Sequence, residues 1–328
     1  NQNMKNILIV IDDIEFRYFE FNKLVTNFWF IFEFLNRDYN VLITLKSRLF
    51  QKNATPFALC NKTYIKNNDI KKEDKTETVC LNDFDIIFFR PDPPVDIDYI
   101  NATYILSYVD KSVFIINDPK ALREKNEKLY INEFQGYIPE NTVSANEKII
   151  KEFLFKHKEI IIKPLNRCFG SGVFYLNDKD KNINAILQNA TNNFKTQVMV
   201  QEYLPSIEKG DKRLIYICGK LYDYCVRKIA TNNDFKFNEH NKDTLKFAQL
   251  SKEDKELENV IKDKFEHDGI YLAGLDVIDG KMIEINITSP CFFINEINEI
   301  FNINFEKIIT DRIENYVKSI KKEDLMLI

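Results

Sequence analysis

Glu284 and Asn286 alternate with Ile283, Ile285 and Ile287 towards the end of a 328-residue chain. In a strand, alternate residues share a face, so the two polar groups point together while the isoleucines point to the core. Asp276 lies on the preceding apolar run, across an Asp279-Gly280 turn. Two carboxylates and an amide oxygen on one face suit Mg²⁺, which takes one or two carboxylates and lets nucleotide phosphates complete its shell. Turn length decides whether Asp276 joins. A two-residue turn would set Ile283 opposite Asp276 and send Glu284 to the other face, whereas a three-residue loop restores the parity. The expectation is the odd-length loop, with Gly280 in or beside a bulge. An ordinary hairpin with a polar outer face gives the same pattern.

Three further segments carry chemistry-bearing side chains. Ile161 and Ile162 run into Lys163-Pro164 and then a loop with Gly170 and Gly172. A lysine at a strand end reaches phosphate oxygens as a point charge, and glycines let backbone N–H groups turn towards an anion. The spacing is neither a Walker A loop nor a dinucleotide fingerprint, and a plain strand-to-strand loop reads the same way. Gln201-Glu202-Tyr203-Leu204-Pro205 takes a strand into a connector, where backbone groups can meet an adenine edge, and Gly210-Asp211-Lys212-Arg213 opens the next strand with alternating charge. Arg90-Pro91-Asp92-Pro93-Pro94 follows a strand end, where ligands of parallel sheets gather and an arginine can clamp a carboxylate in bidentate fashion.

These segments need a scaffold, and the chain is large enough for about two domains. Apolar residues make up 45%, enough for a sizeable core, and 29% are charged. A net charge of −4 favours neither nucleic acid nor an anionic membrane as partner. Cys60, Cys80, Cys168, Cys218, Cys225 and Cys291 form no Cys-x-x-Cys pair and no metal-like spacing with His157, His240 or His267, so free thiols are expected and a zinc site is not. No apolar run spans a bilayer. Residues 1–5 lack a signal-peptide layout and lead straight into a strand, which makes the cytoplasm the expected location.

Asn6–Ile11, Asn40–Leu45, Asp85–Phe89 and Val113–Ile116 read as buried strands between helical stretches such as Asn22–Arg37, an α/β unit with a largely parallel sheet. The Phe28-Trp29-Phe30 stripe fits either core or a subunit contact. Asn61–Lys75, polar and lysine-rich, reads as a solvated loop or edge excursion. Asn117-Asp118-Pro119 opens a helix, with Asp118 as cap and Pro119 in the first helical position, and marks the boundary between two domains. Beyond it, Ile160–Lys163, Val198–Gln201, Leu214–Cys218, Lys220–Arg227, Tyr271–Ile278 and Met282–Ile287 read as strands joined by glycine turns, an α+β pattern.

Taken in order, Arg90-Pro-Asp-Pro-Pro, Asn126-Glu-Lys128-Leu, Lys163-Pro-Leu, Gln201-Glu-Tyr-Leu-Pro, Gly210-Asp-Lys-Arg213, Gly274-Leu-Asp276 and Glu284-Ile-Asn286-Ile-Thr-Ser289-Pro290 resemble the motif series of bacterial glutathione synthetases, from about residue 4 to about residue 318. The resemblance implies a Rossmann-like N-terminal domain (1–123), an ATP-grasp domain (124–320) with a lid at about 130–200, and a tail (321–328). It implies a C–N ligase that joins glycine to γ-glutamylcysteine through an acyl phosphate, with ATP as co-substrate and Mg²⁺, or Mn²⁺, as metal. Lys128, Lys163, Gly170, Gly172, Gln201, Glu202, Tyr203, Leu204 and Asp211 would contact the nucleotide. Asp276, Glu284 and Asn286 would hold the metal. Arg90, Asn286, Ser289 and Pro290 would border the dipeptide, and Arg213, Lys228 and Asn238 would serve catalysis. The family is usually a homo-oligomer, a dimer or tetramer.

Four departures stand out. Arg167 and Phe169 occupy phosphate-loop positions where small residues are usual, and Lys228 stands where an arginine is usual. The stretch 232–248 has Lys236-Phe237-Asn238 and Lys242-Asp243 in place of a glycine-rich loop, and the arginine expected shortly after Ser289-Pro290 is absent, with Ile294-Asn295 in that region. A divergent carboxylate–amine ligase with another acceptor, or a non-catalytic nucleotide-binding relative, are the alternative readings.

Overall fold

The structure, a computed structural model, describes residues 5–167, 171–229 and 245–326. Gly170 and Asn238, both expected in the site, lie outside the described residues, as do Cys168, Phe169 and Lys236.

The N-terminal sheet is built from β1 (Asn6–Ile11), β2 (Asn40–Leu45), β3 (Leu49–Lys52), β4 (Thr55–Lys66), β5 (Asp69–Cys80), β6 (Ile86–Phe89) and β7 (Phe114–Ile116). Its spatial order is β3-β4-β2-β1-β6-β7, with β5 on β4. The four strands β2, β1, β6 and β7 run parallel. The apolar runs of β1 and β6 are buried on both faces because helices cover both. Ile7, Ile9 and Ile11 join a core with Phe28, Phe30 and Phe34, and Leu8 and Val10 join another with Phe89, Tyr99 and Leu106. Phe28 and Phe30 are therefore core residues, while half-buried Trp29 donates Nε1 to the Lys23 carbonyl at 2.8 Å.

The segment 61–75, expected as a solvated loop or edge excursion, is the middle of a long antiparallel hairpin, β4–β5, with β5 at the edge of the sheet. The helical stretch from Asn22 begins as regular α-helix only at Thr26. The helices of this half are α1 (Asp13–Arg17), α2 (Thr26–Asn36), α3 (Ile97–Leu106) and α4 (Pro119–Glu124). As its residue types predict, α4 starts on Asp118, whose Oδ1 accepts the N–H groups of Lys120 and Ala121, with Pro119 in the first turn.

A four-stranded antiparallel sheet follows, with β8 (Asn141–Ser144), β9 (Glu159–Pro164), β10 (Phe174–Asn177) and β11 (Val198–Glu202) in the order β10-β9-β11-β8. With α5 (Glu147–His157) and α6 (Ile183–Ala190) it closes a separate core around Phe153, Leu154, Ile162 and Val200. The third sheet holds β12 (Asp211–Ile217), β13 (Lys220–Leu221), β14 (Tyr224–Lys228), β15 (Leu245–Gln249), β16 (Leu272–Ile278) and β17 (Lys281–Asn286). Its order is β15-β14-β12-β16-β17, so the single strand expected over 220–227 is two. Against it pack α7 (Lys252–Asp268), α8 (Ile294–Phe301) and α9 (Phe305–Met326). The last of these carries the chain as helix through residues 321–326, set apart above as a tail. A capping box of Ser251 and Asp254 starts α7, and Gly269, left-handed at φ +76°, ends it.

The side chain of Asn117 fixes the first half to the third sheet. Its amide nitrogen donates to the carbonyls of Leu272 and Ile287, both at 2.8 Å, and its oxygen accepts from Tyr271 N–H and Leu272 N–H. One fully satisfied amide thereby holds β16 and the exit of β17 in place. Among the described residues no helix is long and apolar enough to cross a membrane.

Candidate active site

The β16–β17 hairpin contradicts the expected odd-length loop. Ile278 pairs with Lys281, which leaves a two-residue turn of Asp279 (φ +48°) and Gly280 (φ +72°). Paired left-handed residues match the twist of the flanking strands, which favours this tight turn. Val277 then faces Met282, but Asp276 faces Glu284, so Ile283 is an extra residue. This β-bulge restores the parity one pair beyond the turn. Gly274 faces Asn286 in the same register, and Asp276, Glu284 and Asn286 share one face as expected.

Cations from the neighbouring strands meet that face. Arg213, in register with Asp276, donates Nε to Asp276 Oδ1 at 2.7 Å and Nη2 to Oδ2 at 3.1 Å. Lys228 Nζ bridges Asp276 Oδ1 at 3.0 Å and Asp211 Oδ2 at 2.7 Å. The Asn286 amide donates to Asp276 Oδ2 and to the Gly274 carbonyl, each at 3.2 Å, which turns its oxygen outwards. Burial pushes the Asp276 carboxyl up, but Arg213 and Lys228 outweigh it and hold the group well below the usual carboxylate range. Burial also pushes Asp211 up, only partly offset by Lys228. Gly274 is required by the close approach of Arg213, since a Cβ there would lie 2.9 Å from Arg213 Cδ.

Two buried lysines, Lys128 and Lys163, meet the same hairpin. Lys163, at the end of β9, donates Nζ to the Ile283 carbonyl at 3.2 Å. Lys128 donates Nζ to the Arg167 carbonyl at 2.7 Å and stands 3.7 Å from Glu284 Oε1. Burial lowers the pKa of Lys163, with Glu284 opposing and Lys128 reinforcing the shift. An ammonium so poorly solvated, beside a second one, favours a polyanion that would neutralise both. Gly172 (φ +73°) packs where a Cβ would lie 3.0 Å from Arg167 Nη1 and Pro164 Cγ, so Arg167 folds over the glycine turn.

Gln201, Glu202, Tyr203 and Leu204 occupy the exit of β11, between the second and third sheets. Gln201 is buried and donates to Met199 Sδ. Glu202 accepts the Glu140 N–H at 2.9 Å and Lys281 Nζ at 3.2 Å, and the Tyr203 ring meets Tyr175 edge-on at 5.1 Å. The backbone N–H groups of Glu202 and Tyr203 are bonded to the carbonyls of Glu140 and Glu159.

On the substrate side the bidentate fork expected of Arg90 is spent within the protein. Its Nε donates to Asn27 and its Nη2 to the Pro290 carbonyl at 2.8 Å, with Phe30 and Phe292 against the guanidinium. Ser289 donates to Asp92. Arg90, Ser289 and Pro290 thus do meet, but Arg90 shapes the loop as well as presenting charge.

Glu127 was missed by sequence reasoning. It accepts from Thr288 Oγ1 at 2.7 Å, and its carbonyl accepts the Ile285 N–H at 3.0 Å, tying the lysine-bearing segment to β17. Burial, then Glu284, pushes its carboxyl up. Its place in sequence beside Lys128, a lysine expected at the nucleotide, was the signal available.

The donor set fits Mg²⁺ in the company of phosphates. Among the described residues no three His, Cys, Asp or Glu side chains gather as a cage, while Asp276 and Glu284 face each other with the Asn286 amide beside them. An ion that keeps water and phosphate ligands needs no more from the protein.

Two family models match the chain in series. The prokaryotic glutathione synthetase N-terminal domain covers residues 6–123, and the prokaryotic glutathione synthetase ATP-grasp domain covers residues 127–302. The glutathione synthetase of Buchnera aphidicola subsp. Acyrthosiphon pisum is 38% identical over 244 residues, 74% of this chain and 76% of that one. That of Buchnera aphidicola subsp. Baizongia pistaciae is 33% identical over 305 residues, 91% of this chain and 93% of that one. In fold, the chain is similar to a D-cycloserine synthetase (TM-score 0.61, 13% identity, 87% of this chain and 92% of that one). It is similar also to D-alanyl-alanine synthetase A of Vibrio cholerae (TM-score 0.57, 15% identity, 97% and 99%).

Proposed function

The chain belongs to the prokaryotic glutathione synthetase family, and from that premise we propose how its residues divide the work of the ligase. It is an ATP-grasp enzyme with glutathione synthetase activity, forming the C–N bond between γ-glutamylcysteine and glycine at the expense of ATP. The observation that carries the residue assignment is the convergence of Lys128 and Lys163 on the face that holds Asp276, Glu284 and Asn286.

Lys128 and Lys163 receive the triphosphate, and the charge they gain there compensates their burial. Gly172 gives the loop after Lys163 its left-handed turn, so backbone N–H groups can face the same anion. Leu204 and the carbonyls at the end of β11 meet the adenine edge, because the N–H groups of Glu202 and Tyr203 are occupied. Asp276, Glu284 and Asn286 would hold Mg²⁺, or Mn²⁺, which when bound neutralises phosphate charge and polarises the γ-phosphoryl group.

The dipeptide carboxylate, itself an anion, must approach that phosphoryl group in line. Arg213 favours this approach, since its guanidinium links Asp276 to the Cys291 carbonyl, 3.3 Å from Nη1, on the substrate loop. Lys228, pinned between Asp211 and Asp276, keeps its position and its charge, because those carboxylates outweigh the burial that would lower its pKa. Both cations can stabilise the oxyanion that forms when the glycine amine attacks the acyl phosphate. Packing the second sheet over the third excludes water from an intermediate that hydrolyses readily.

The test is ADP release that requires γ-glutamylcysteine and glycine together and disappears in Glu284→Gln. Turnover indifferent to that substitution would sink the assignment of the face. A panel of amines in which glycine is not preferred would point instead to another acceptor. The family resemblance extends to a homo-oligomer, dimer or tetramer, and to the cytoplasm, which sedimentation of the purified chain and fractionation of cells would check.

A further inference from the structure

The β12–β14 pair has two faces, and the mechanism above uses one of them. Alternate residues of a strand point to opposite faces, so Asp211, Arg213 and Lys228 share the reaction face while Lys212 and Arg227 point behind it. Lys212 and Arg227 are direct partners in the antiparallel register. Like charges set opposite each other in this way destabilise a sheet. A cavity of about 420 Å³ opens onto both, walled by the short helical turn Pro205–Lys209, the start of α7 and the Asp279-Gly280 turn.

The charges around this cavity do not balance. Lys212 is only 8% exposed, and its Nζ bonds Asp254 on α7. The same Asp254 oxygen also accepts the Ser251 N–H at 2.8 Å. Arg227 spends Nη1 on the carbonyls of Gly210, at 3.0 Å, and Lys209, at 3.5 Å, and meets no carboxylate among the described residues. Lys209 adds a third cation at the rim. The acids of the rim, Glu253 and Asp279, are exposed, and neither forms an ion pair among the described residues. Cations withdrawn from water in excess of their carboxylates cost stability, and a bound anion offsets that cost. A guanidinium with N–H donors to spare, beside an ammonium, suits the oxygens of a phosphate or a carboxylate.

A ligand there reaches the reaction face through the backbone. Gly210, whose carbonyl Arg227 holds, leads directly into Asp211. It packs so closely on β14 that an added Cβ would lie 2.3 Å from the Lys228 carbonyl oxygen. Asp211 in turn holds Lys228 Nζ at 2.7 Å. An anion that draws the Arg227 guanidinium off the Gly210 carbonyl therefore loosens the strand ends that carry Asp211 and Lys228.

We propose that this cavity is a second anion site, for a small dianion of the phosphate or dicarboxylate kind, and that its occupant lowers kcat from behind the sheet. Lys212, Arg227 and Lys209 hold the dianion, which relieves the repulsion between the first two. The triphosphate lysines, Lys128 and Lys163, lie on the other side, against the Asp276–Glu284 face. Binding at the cavity is independent of the ligase reading, whereas the effect on kcat rests on it.

Titration calorimetry on the full-length chain tests the binding, with Mg²⁺ and a non-hydrolysable ATP analogue at saturation to fill the triphosphate cleft. Inorganic phosphate is the probe in one arm and succinate in the other, and the tighter of the two names the chemistry. One equivalent should bind with a Kd of about 1 mM or below. Arg227→Gln should weaken it at least about 10-fold, and Lys163→Met should leave it unchanged. In turnover at saturating ATP, γ-glutamylcysteine and glycine, the dianion that binds should lower kcat about 5-fold and leave KM for ATP unchanged. Arg227→Gln should abolish that response. Ser206→Glu, which sets a carboxylate in the cavity wall without removing a cation, should abolish the binding too. It decides the matter should Arg227→Gln fail to bind the ATP analogue and so prove misfolded. Binding of neither dianion, or binding that survives Arg227→Gln and Ser206→Glu, would overturn the site. Binding with no change in kcat would overturn the coupling to the reaction face. A chain with no glycine-dependent turnover would remove the ligase reading, and the coupling with it, while the calorimetry would still decide the site.

Discussion

Lys163 Nζ lies 3.2 Å from the carbonyl of Ile283, the residue that the bulge adds to β17. A strand end of the second sheet thereby touches the bulge of the third, and the same bulge sets Glu284 opposite Asp276. The bulge supplies both the parity of the Asp276–Glu284 face and an acceptor for Lys163.

That lysine is costly to the free protein, because burial lowers its pKa and Lys128 adds to the effect. Lys163→Met should therefore raise the melting temperature of the nucleotide-free chain by about 2–4 °C, equivalent to about 1 kcal/mol. ATP affinity should fall about 100-fold. Differential scanning calorimetry and titration calorimetry on the same samples check both halves, and a variant that melts lower would contradict the argument.

Gly274 leaves room for Arg213, whose Cδ and Nη1 would lie 2.9 and 3.0 Å from an added Cβ. Gly274→Ala should push the guanidinium off Asp276 and reduce kcat by about 100-fold. KM for ATP should change little, because the lysines are untouched. Steady-state kinetics separates the two parameters.

Lys228 compensates two carboxylates at once, at 2.7 and 3.0 Å. Lys228→Ala should destabilise the fold by about 3 kcal/mol, since Asp211 loses its counter-charge in a nearly buried position. Asp211→Asn in that background should recover at least half of the loss. Urea denaturation of the two single variants and the double variant gives the coupling directly.

Gly280 has φ +72°, and a Cβ there would sit 2.9 Å from Glu253 Cβ. Gly280→Ala should cost about 1–2 kcal/mol of stability. The bulge lies one pair away, so the Asp276–Glu284 register should survive and kcat should stay near the wild-type value. A large fall in kcat would show that turn and bulge act as one unit.

Burial pushes the Glu15 carboxyl up to about 7 from an ordinary 4.5, with the Asn27 amide partly opposing it. The folded state thus holds this proton more tightly than the unfolded chain. Its contribution to stability is complete below pH 4.5 and is lost as the pH rises through 7. Glu15→Gln should remove that dependence, so between pH 5 and pH 8 the wild type should lose a few degrees of melting temperature relative to the variant. Parallel melting curves for wild type and variant would not support this origin.

Much of the chemistry was legible in residue order. Asp276, Glu284 and Asn286 announced an oxygen-rich face by alternation, the strands β1 and β2 showed as apolar runs, and Asp118-Pro119 announced α4. These signals are local, because strand periodicity and helix capping depend on neighbours in sequence. The hairpin β4–β5 was not legible. Its second strand, β5, is largely polar and is held by backbone pairing at a sheet edge, which demands no apolar pattern.

What the sequence by itself determined is which side chains share a strand face and which residues can cap or turn. Only the tertiary structure decided that Ile283 bulges, that Arg90 spends two donors on Asn27 and Pro290, and that the buried Tyr99 hydroxyl has no hydrogen-bond partner among the described residues. The reason is physical. A pleat or a cap is fixed within a few residues, whereas the environment of a charge is set by groups that the fold brings from 63 to 200 positions away, as for Arg90 with Asn27 and with Pro290.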